Sequence, residues 1–134
     1  MKFIFTILLA VIFSPLALAE EVILGSVEDP YAKEHKVFKF DSAKIDKLPK
    51  WDKDSNDVPL SITEAIRLSK KAAKLDLSDK LSHIQSVIFA PRRLKDGRFL
   101  WAYSVSFRLF DVRHYSATSY LVLLDGSVVS PTTE

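Results

Sequence analysis

The sequence predicts a small α+β domain in which one amphipathic helix packs on an antiparallel β-sheet of about four strands. Apolar residues recur at helical spacing in a segment that begins at Ser61. Residues 98–110 alternate apolar and polar side chains, as a strand does. Asp96-Gly97 and Asp125-Gly126 are typical of the tight turns that join antiparallel strands. The apolar face of such a sheet needs a cover, and this helix is the only candidate.

Residues 1–19 predict a cleavable secretory signal peptide. Lys2 gives the positive start, residues 3–13 are apolar apart from Thr6, and Ala17-Leu18-Ala19 is a small-x-small cleavage site. A membrane span takes about 20 apolar residues, whereas this run ends at Ser14-Pro15. No cysteine follows it, which excludes a lipid-anchored lipoprotein. We therefore expect a secreted or periplasmic protein with no membrane span after cleavage.

The composition excludes several classes of function. Removal of the leader leaves 115 of the 134 residues, enough to bury a core without disulfides. Because the chain has no cysteine, thiol catalysis and thiolate metal sites are excluded. Loss of Lys2 leaves 18 basic against 17 acidic side chains, a balance that argues against nucleic acid as a partner.

Residues 20–58 read as a polar N-terminal extension. It contains one or two short strands, at residues 22–24 and 36–40, and a charged, turn-forming run at residues 52–57. We expect Trp51 to tie this loop onto the core. The sequence leaves open whether the extension packs on the domain or trails from it.

Residues 59–134 read as the helix-plus-sheet domain. The helix runs from Ser61 to about Leu75, and Ser61-Ile62-Thr63-Glu64 fits a capping box. In that motif the Ser61 hydroxyl accepts from the Glu64 backbone N–H, and the Glu64 carboxylate reaches back to the Ser61 N–H.

Four strands follow this helix, at residues 83–90, 98–110, 119–124 and 127–130. The longest of them points one set of apolar side chains toward the helix: Phe99, Trp101, Tyr103, Val105, Phe107 and Leu109. Leu100 and Phe110 depart from that alternation. Residues 111–115 form a polar connection.

Three segments resemble PepSY domains. Residues 59–66, PLSITEAI, are similar to the capped helix that opens those domains. Residues 96–105, DGRFLWAYSV, resemble their central strand, and residues 120–129, YLVLLDGSVV, their final hairpin. The resemblance covers about residues 59–131 and implies a PepSY/cystatin-like fold.

The PepSY resemblance also implies a function. PepSY domains are small secreted or membrane-associated modules, some lie in propeptides of secreted metallopeptidases, and a peptidase-inhibiting role has been proposed for the family. The resemblance therefore implies a non-catalytic binding module, with peptidase modulation as one role that it would have. The family has no catalytic residues to carry over.

The residues themselves give little support for an enzyme, a cofactor or a metal. His35, His83 and His114 are far apart, and Asp111-x-x-His114 is the nearest approach to a metal-ligand spacing. No Gly-x-Ser-x-Gly elbow occurs, and three glycines cannot build a phosphate loop. We predict no catalytic, cofactor-binding or metal-binding residues.

Two side-chain clusters have alternative interpretations. Arg92-Arg93-Leu94-Lys95, together with helix lysines Lys70, Lys71 and Lys74, forms either a patch for an acidic partner or anionic lipid, or a charged edge that prevents sheets from pairing. Trp101 and Tyr103 either line a ligand groove or belong to the core, where large aromatic side chains are mostly found.

The predicted function is binding of a protein or peptide partner in the cell envelope, through strand addition at a sheet edge. Backbone groups would supply the affinity, so the sequence marks no site residue. The alternative is a carrier of a small hydrophobic ligand, with a pocket between helix and sheet that reaches Trp101 and Tyr103.

Overall fold

A computed structural model describes residues 20–29, 33–55, 57–77, 81–110 and 115–134. The leader predicted at residues 1–19 and the connection around Asp111 and His114 lie outside these residues. The described residues form, in order, β1 (Glu21–Asp29), β2 (Glu34–Asp41), α1 (Ser42–Ile45), α2 (Ile62–Leu77), β3 (Leu81–Arg93), β4 (Phe99–Phe110), β5 (Tyr115–Leu123), β6 (Val128–Val129) and β7 (Thr132–Thr133).

The strands form two antiparallel sheets, so the α+β antiparallel class is confirmed. The central sheet has the order β3-β4-β5-β6 and contains the four strands predicted after the helix. A second sheet has the order β1-β2-β7. The expectation of a single sheet is wrong, because the N-terminal hairpin β1–β2 and the C-terminal β7 build another one.

Helix α2 covers the front face of the central sheet, as predicted. It begins with one half of the expected capping box: the Ser61 carbonyl accepts from Ala65 N–H at 3.0 Å, and the Ser61 hydroxyl accepts from Glu64 N–H at 3.2 Å. The other half is not formed, because the Glu64 carboxylate bonds Arg67 instead of the Ser61 N–H. Ala65 and Ala73 are fully buried, since alanine lets the helix approach the sheet closely.

The front core is made of the alternating residues of β4 and β5. Tyr103, Val105 and Phe107 of β4 are buried beside Tyr120 and Val122 of β5. This confirms that the alternating set of residues 98–110 faces the helix over its middle part.

The back face of the central sheet is apolar as well, and the second sheet covers it. Leu100 and Ala102 of β4 are buried together with residues from both neighbouring layers: Leu24, Phe38, Ile45, Leu48, Leu94, Leu121, Leu123 and Val129. Leu100 departs from the front-face alternation because its side chain belongs to this second core. Residues 20–58 therefore pack on the helix-plus-sheet domain and contribute buried side chains to this second core.

No helix in the described part of the chain is both long and apolar enough to cross a membrane.

Two phenylalanines give a matched test of this packing. Phe38 of β2 is 2% exposed and Phe99 of β4 is 66% exposed. We expect Phe38→Ala to lower the free energy of unfolding by about 3 to 5 kcal/mol, the usual cost of removing a buried phenylalanine ring. Phe99→Ala should change it by less than about 0.5 kcal/mol. Urea unfolding of both variants measures this, and equal small effects would contradict burial of the second sheet's inner face.

Candidate functional site

A groove of about 340 Å³ runs along the start of strand β4. Five consecutive residues, 97–101, form one wall, and the segment 45–51 that follows α1 provides the other wall. Successive side chains of a strand point to opposite faces. A groove lined by consecutive residues therefore follows the edge of the strand, where backbone groups lie, and not one of its faces.

The pairing of β4 shows why this edge is open to a groove. On one side, residues Phe99 to Trp101 pair with Arg93 to Pro91 of β3. On the other side, pairing with β5 begins only at Ala102, opposite Leu123. Three residues of β4 therefore have a strand partner on one side only. Their second edge faces the groove.

The segment 45–51 is anchored at both ends by buried apolar side chains. Ile45 and Leu48 pack into the back core, while Trp51 packs against the front core. The Trp51 ring meets Trp101 edge-on at a centroid distance of 4.7 Å and Phe89 at 5.3 Å. This confirms the prediction that Trp51 ties the loop onto the core. It also fixes the width of the groove between two anchored walls.

An aromatic cluster supports this end of the sheet from the front. Phe89 stacks on Trp101 at 5.0 Å and lies 4.6 Å from the Tyr103 ring. The Tyr103 hydroxyl donates to the Leu60 carbonyl at 2.7 Å, and burial raises the pKa of Tyr103. Of the two interpretations of this pair, Tyr103 belongs to the core, whereas Trp101 also lines the groove.

Arg98 closes one end of the groove. Its Nε donates to Asp96 Oδ2 at 2.8 Å, and its Nη2 donates to the Ser42 hydroxyl at 2.8 Å. It also reaches Asp46 Oδ2 at 3.4 Å. One side chain therefore joins the β3–β4 turn to α1, and so holds the two walls together. Nothing in the sequence around Arg98 indicated this role.

The same contacts fix the charge of the turn. The Arg98 side-chain hydrogen bond holds the pKa of Asp96 below its usual range, and the Asp96 carboxylate raises the pKa of Arg98. Both shifts favour the charged forms. A general acid or base needs a pKa near the working pH, which this pair does not have.

Phe99 is the large apolar side chain that the groove leaves in water. The alternation of residues 98–110 placed it in the core under the helix, and that expectation is wrong, because its ring is 66% exposed. The prediction from the period-two pattern fails at the first residue of β4, where α2 no longer covers the sheet. Exposed Phe99 and partly buried Trp51 and Trp101 give the groove an aromatic rim.

Two buried nitrogens have no hydrogen-bond partner among the described residues, Trp51 Nε1 and Arg92 Nε. The Arg92 guanidinium approaches β1 closely, since a Cβ added at Gly25 would lie 3.2 Å from Nη1. Gly25 thus makes room for this side chain between the two sheets.

The structure separates the basic residues that the sequence grouped. Arg92 and Arg93 are neighbours in β3 and point to opposite faces of the sheet. Leu94 is buried in the back core, and Lys95 is exposed in the turn. Lys70 and Lys71 are exposed on α2. Only Arg93 lies beside Phe99, its register partner.

The structure describes two of the three histidines, and they lie on different sheets. His35 is exposed on β2 and His83 is exposed on β3, while His114 lies outside the described residues. Within the described ranges, no group of three or more His, Cys, Asp or Glu residues is placed to hold a metal ion.

Comparisons with known proteins give no family. No protein-family model, no curated protein and no solved structure matches this chain.

The Arg98 contacts predict a titration that can be measured. By ¹³C NMR the Asp96 carboxyl should titrate below its ordinary value of 3.8. Arg98→Gln should move that midpoint back toward 3.8, because the charged hydrogen bond is lost. Glu64 is the internal control, since its lowered pKa depends on Arg67 and should not change.

The same shift sets the pH dependence of stability. A carboxyl whose pKa is lowered by folding contributes stability above its ordinary pKa and loses it as the pH falls through the lowered value. The acid destabilisation of the wild type below about pH 3.8 should therefore be smaller in Arg98→Gln. An Asp96 midpoint that is the same in both proteins would contradict this role of Arg98.

Proposed function

We propose that the mature chain is a secreted or periplasmic, non-catalytic module that binds an extended peptide segment of a protein partner in the cell envelope. The groove along β4 is the proposed site. The peptide would add as a short strand to the free edge of residues Phe99, Leu100 and Trp101. The observation that carries the proposal is that this edge has a partner strand on one side only.

Strand addition needs unpaired backbone groups and pockets for alternate side chains. The edge of residues 99–101 supplies the first requirement. The aromatic rim, made of Phe99, Trp51 and Trp101, supplies the second. Exposed Phe99 would become buried against the apolar side chains of the peptide. This burial would stabilise the complex by about 25 cal/mol for each Å² of apolar surface removed from water.

The absence of catalysis is part of the proposal and rests on the ionisable groups of the groove. Asp46 and Arg98 are paired with each other, and Arg98 is also paired with Asp96. The Arg98 hydrogen bond holds the pKa of Asp96 below its usual range, and the Asp96 carboxylate raises the pKa of Arg98. Neither shift brings a pKa toward the working pH, as a general acid or base requires.

The proposal keeps the PepSY/cystatin-like assignment as its finer statement of fold. It is supported by the order of elements from residue 59 on: a capped helix, then four antiparallel strands in sequential order, with the helix on one face. The second sheet, β1-β2-β7, is an addition to that arrangement. A peptidase-modulating role is one form that such peptide binding would take.

The carrier of a small hydrophobic ligand has less support. Buried side chains fill the space between α2 and the central sheet, among them Tyr103, Phe107 and Tyr120. The groove reaches Trp101 but does not include Tyr103, and it lies at the edge of β4.

The test is selection of peptides against the mature protein from a random phage-displayed library. Affinities of the selected peptides are then measured by fluorescence anisotropy. We expect Phe99→Ala to weaken binding about tenfold or more, since an aromatic contact is lost. Methylation of peptide backbone nitrogens should also weaken binding, because strand addition uses backbone hydrogen bonds.

Ile88→Ala is the matched control. Ile88 is 56% exposed, and its register partner is Ser104, which lies on the back face of the sheet. This variant should bind like the wild type. Selected peptides that shift the NMR signals of β4 residues other than 99–101, or that bind Phe99→Ala unchanged, would refute the proposed site.

A further inference from the structure

Two carboxylates at the end of the groove share one cation. Asp46 Oδ2 lies 3.4 Å from Arg98 Nη1, and Asp96 Oδ2 lies 2.7 Å from Arg98 Nη2. Arg98 therefore offsets one of the two negative charges beside the edge of β4. These three side chains leave a net charge of −1.

Two further cations, Lys50 and Arg93, lie near Phe99. Lys50 lines the groove from the segment 45–51 and is exposed. Arg93 is exposed and is the register partner of Phe99, so its side chain shares a face with that ring. Neither side chain makes an ion pair with a described carboxylate, unlike Arg98. With Arg98 they make three cations against the carboxylates of Asp46 and Asp96, so the net charge at the rim is +1.

We propose, building on peptide binding at this groove, that the preferred partner segment is acidic: an extended strand whose apolar side chains contact Phe99 and Trp51 and whose Glu or Asp side chains meet Lys50 and Arg93. The carboxylates come from side chains within the segment. Because Arg93 and Phe99 share one face of the sheet, the segment presents an acidic and an apolar side chain on that same face, two residues apart.

The positive rim sets specificity and association rate more than it sets affinity. Ion pairs at an exposed rim are weak, and salt screens them. They discriminate against wrong partners because a basic segment would place like charges together. The aromatic contacts supply affinity for any apolar strand, and the cations select among such strands.

The probes are three fluorescein-labelled octapeptides in which pairs of leucines alternate with pairs of glutamates, glutamines or lysines, so that each face of the strand carries both kinds of side chain. In low salt we expect the glutamate peptide to bind about three- to thirtyfold more tightly than the glutamine peptide, as two exposed ion pairs allow. The lysine peptide should bind most weakly. The advantage of glutamate should shrink as salt is raised, because the Debye length falls from about 10 Å at 0.1 M to about 3 Å at 1 M.

A charge exchange makes the test specific to the groove. The double variant K50E/R93E should reverse the order and bind the lysine peptide more tightly than the glutamate peptide. K71E is the matched control, since Lys71 is exposed on α2, and it should keep the wild-type order. An unfolded double variant is identified by circular dichroism. In that case K50Q, which keeps Arg93, should still lower the preference for glutamate.

The outcomes separate this inference from the proposed function. If all three peptides bind equally and without salt dependence, peptide binding stands and the acidic preference is overturned. If none binds while phage selection yields groove-binding peptides without enrichment in Asp or Glu, the acidic preference is also overturned. If no peptide binds by either method, the proposed function fails with it. Binding to anionic phospholipid vesicles alone would overturn both in favour of a membrane surface.

Discussion

The central sheet is apolar on both faces at the end of the β4–β5 pair that contains residues 120–123, and this constraint determines the rest of the architecture. Leu121 and Leu123 point to the back while Tyr120 and Val122 point to the front, and all four are at most 1% exposed. A sheet that buries both faces needs two covers. Helix α2 covers the front, and the sheet β1-β2-β7 covers the back. The N-terminal hairpin is thus part of the fold because the sheet requires a second cover.

The groove follows from this three-layer arrangement. The chain leaves the back layer after α1 and must reach the front layer before α2 begins. It passes the start of β4, where β5 has already ended at Leu123. Ile45 and Leu48 hold the crossing chain to the back core, and Trp51 holds it to the front. The crossing chain encloses a short length of free strand edge, and Arg98 fixes the spacing of the walls.

Sequence patterns predicted the elements well and their partners less well. The cap at Ser61 and the period of residues 98–110 depend on contacts close in sequence, which a pattern reveals. In the core under the second sheet, residues 24 and 38 pack with residues 100 and 121. These positions are far apart in the sequence, and no local pattern encodes such contacts. Two signals pointed to it: Leu100 out of phase, and the unbroken apolar run of residues 120–124, typical of a strand buried on both faces. For the groove, the sequence indicated only the packing of Trp51. No pattern indicated the contacts of Arg98 or the exposure of Phe99.

Native-state hydrogen exchange tests most directly whether both covers belong to one cooperative unit. The account predicts that slowly exchanging amides near Phe38 in β2 and near Val105 in β4 open with the same free energy, equal to that of global unfolding. Both residues are at most 2% exposed, on either side of the central sheet. Fast exchange throughout β1 and β2, with β4 and β5 still protected, would contradict it, because the back face of the central sheet would then be stable without its cover.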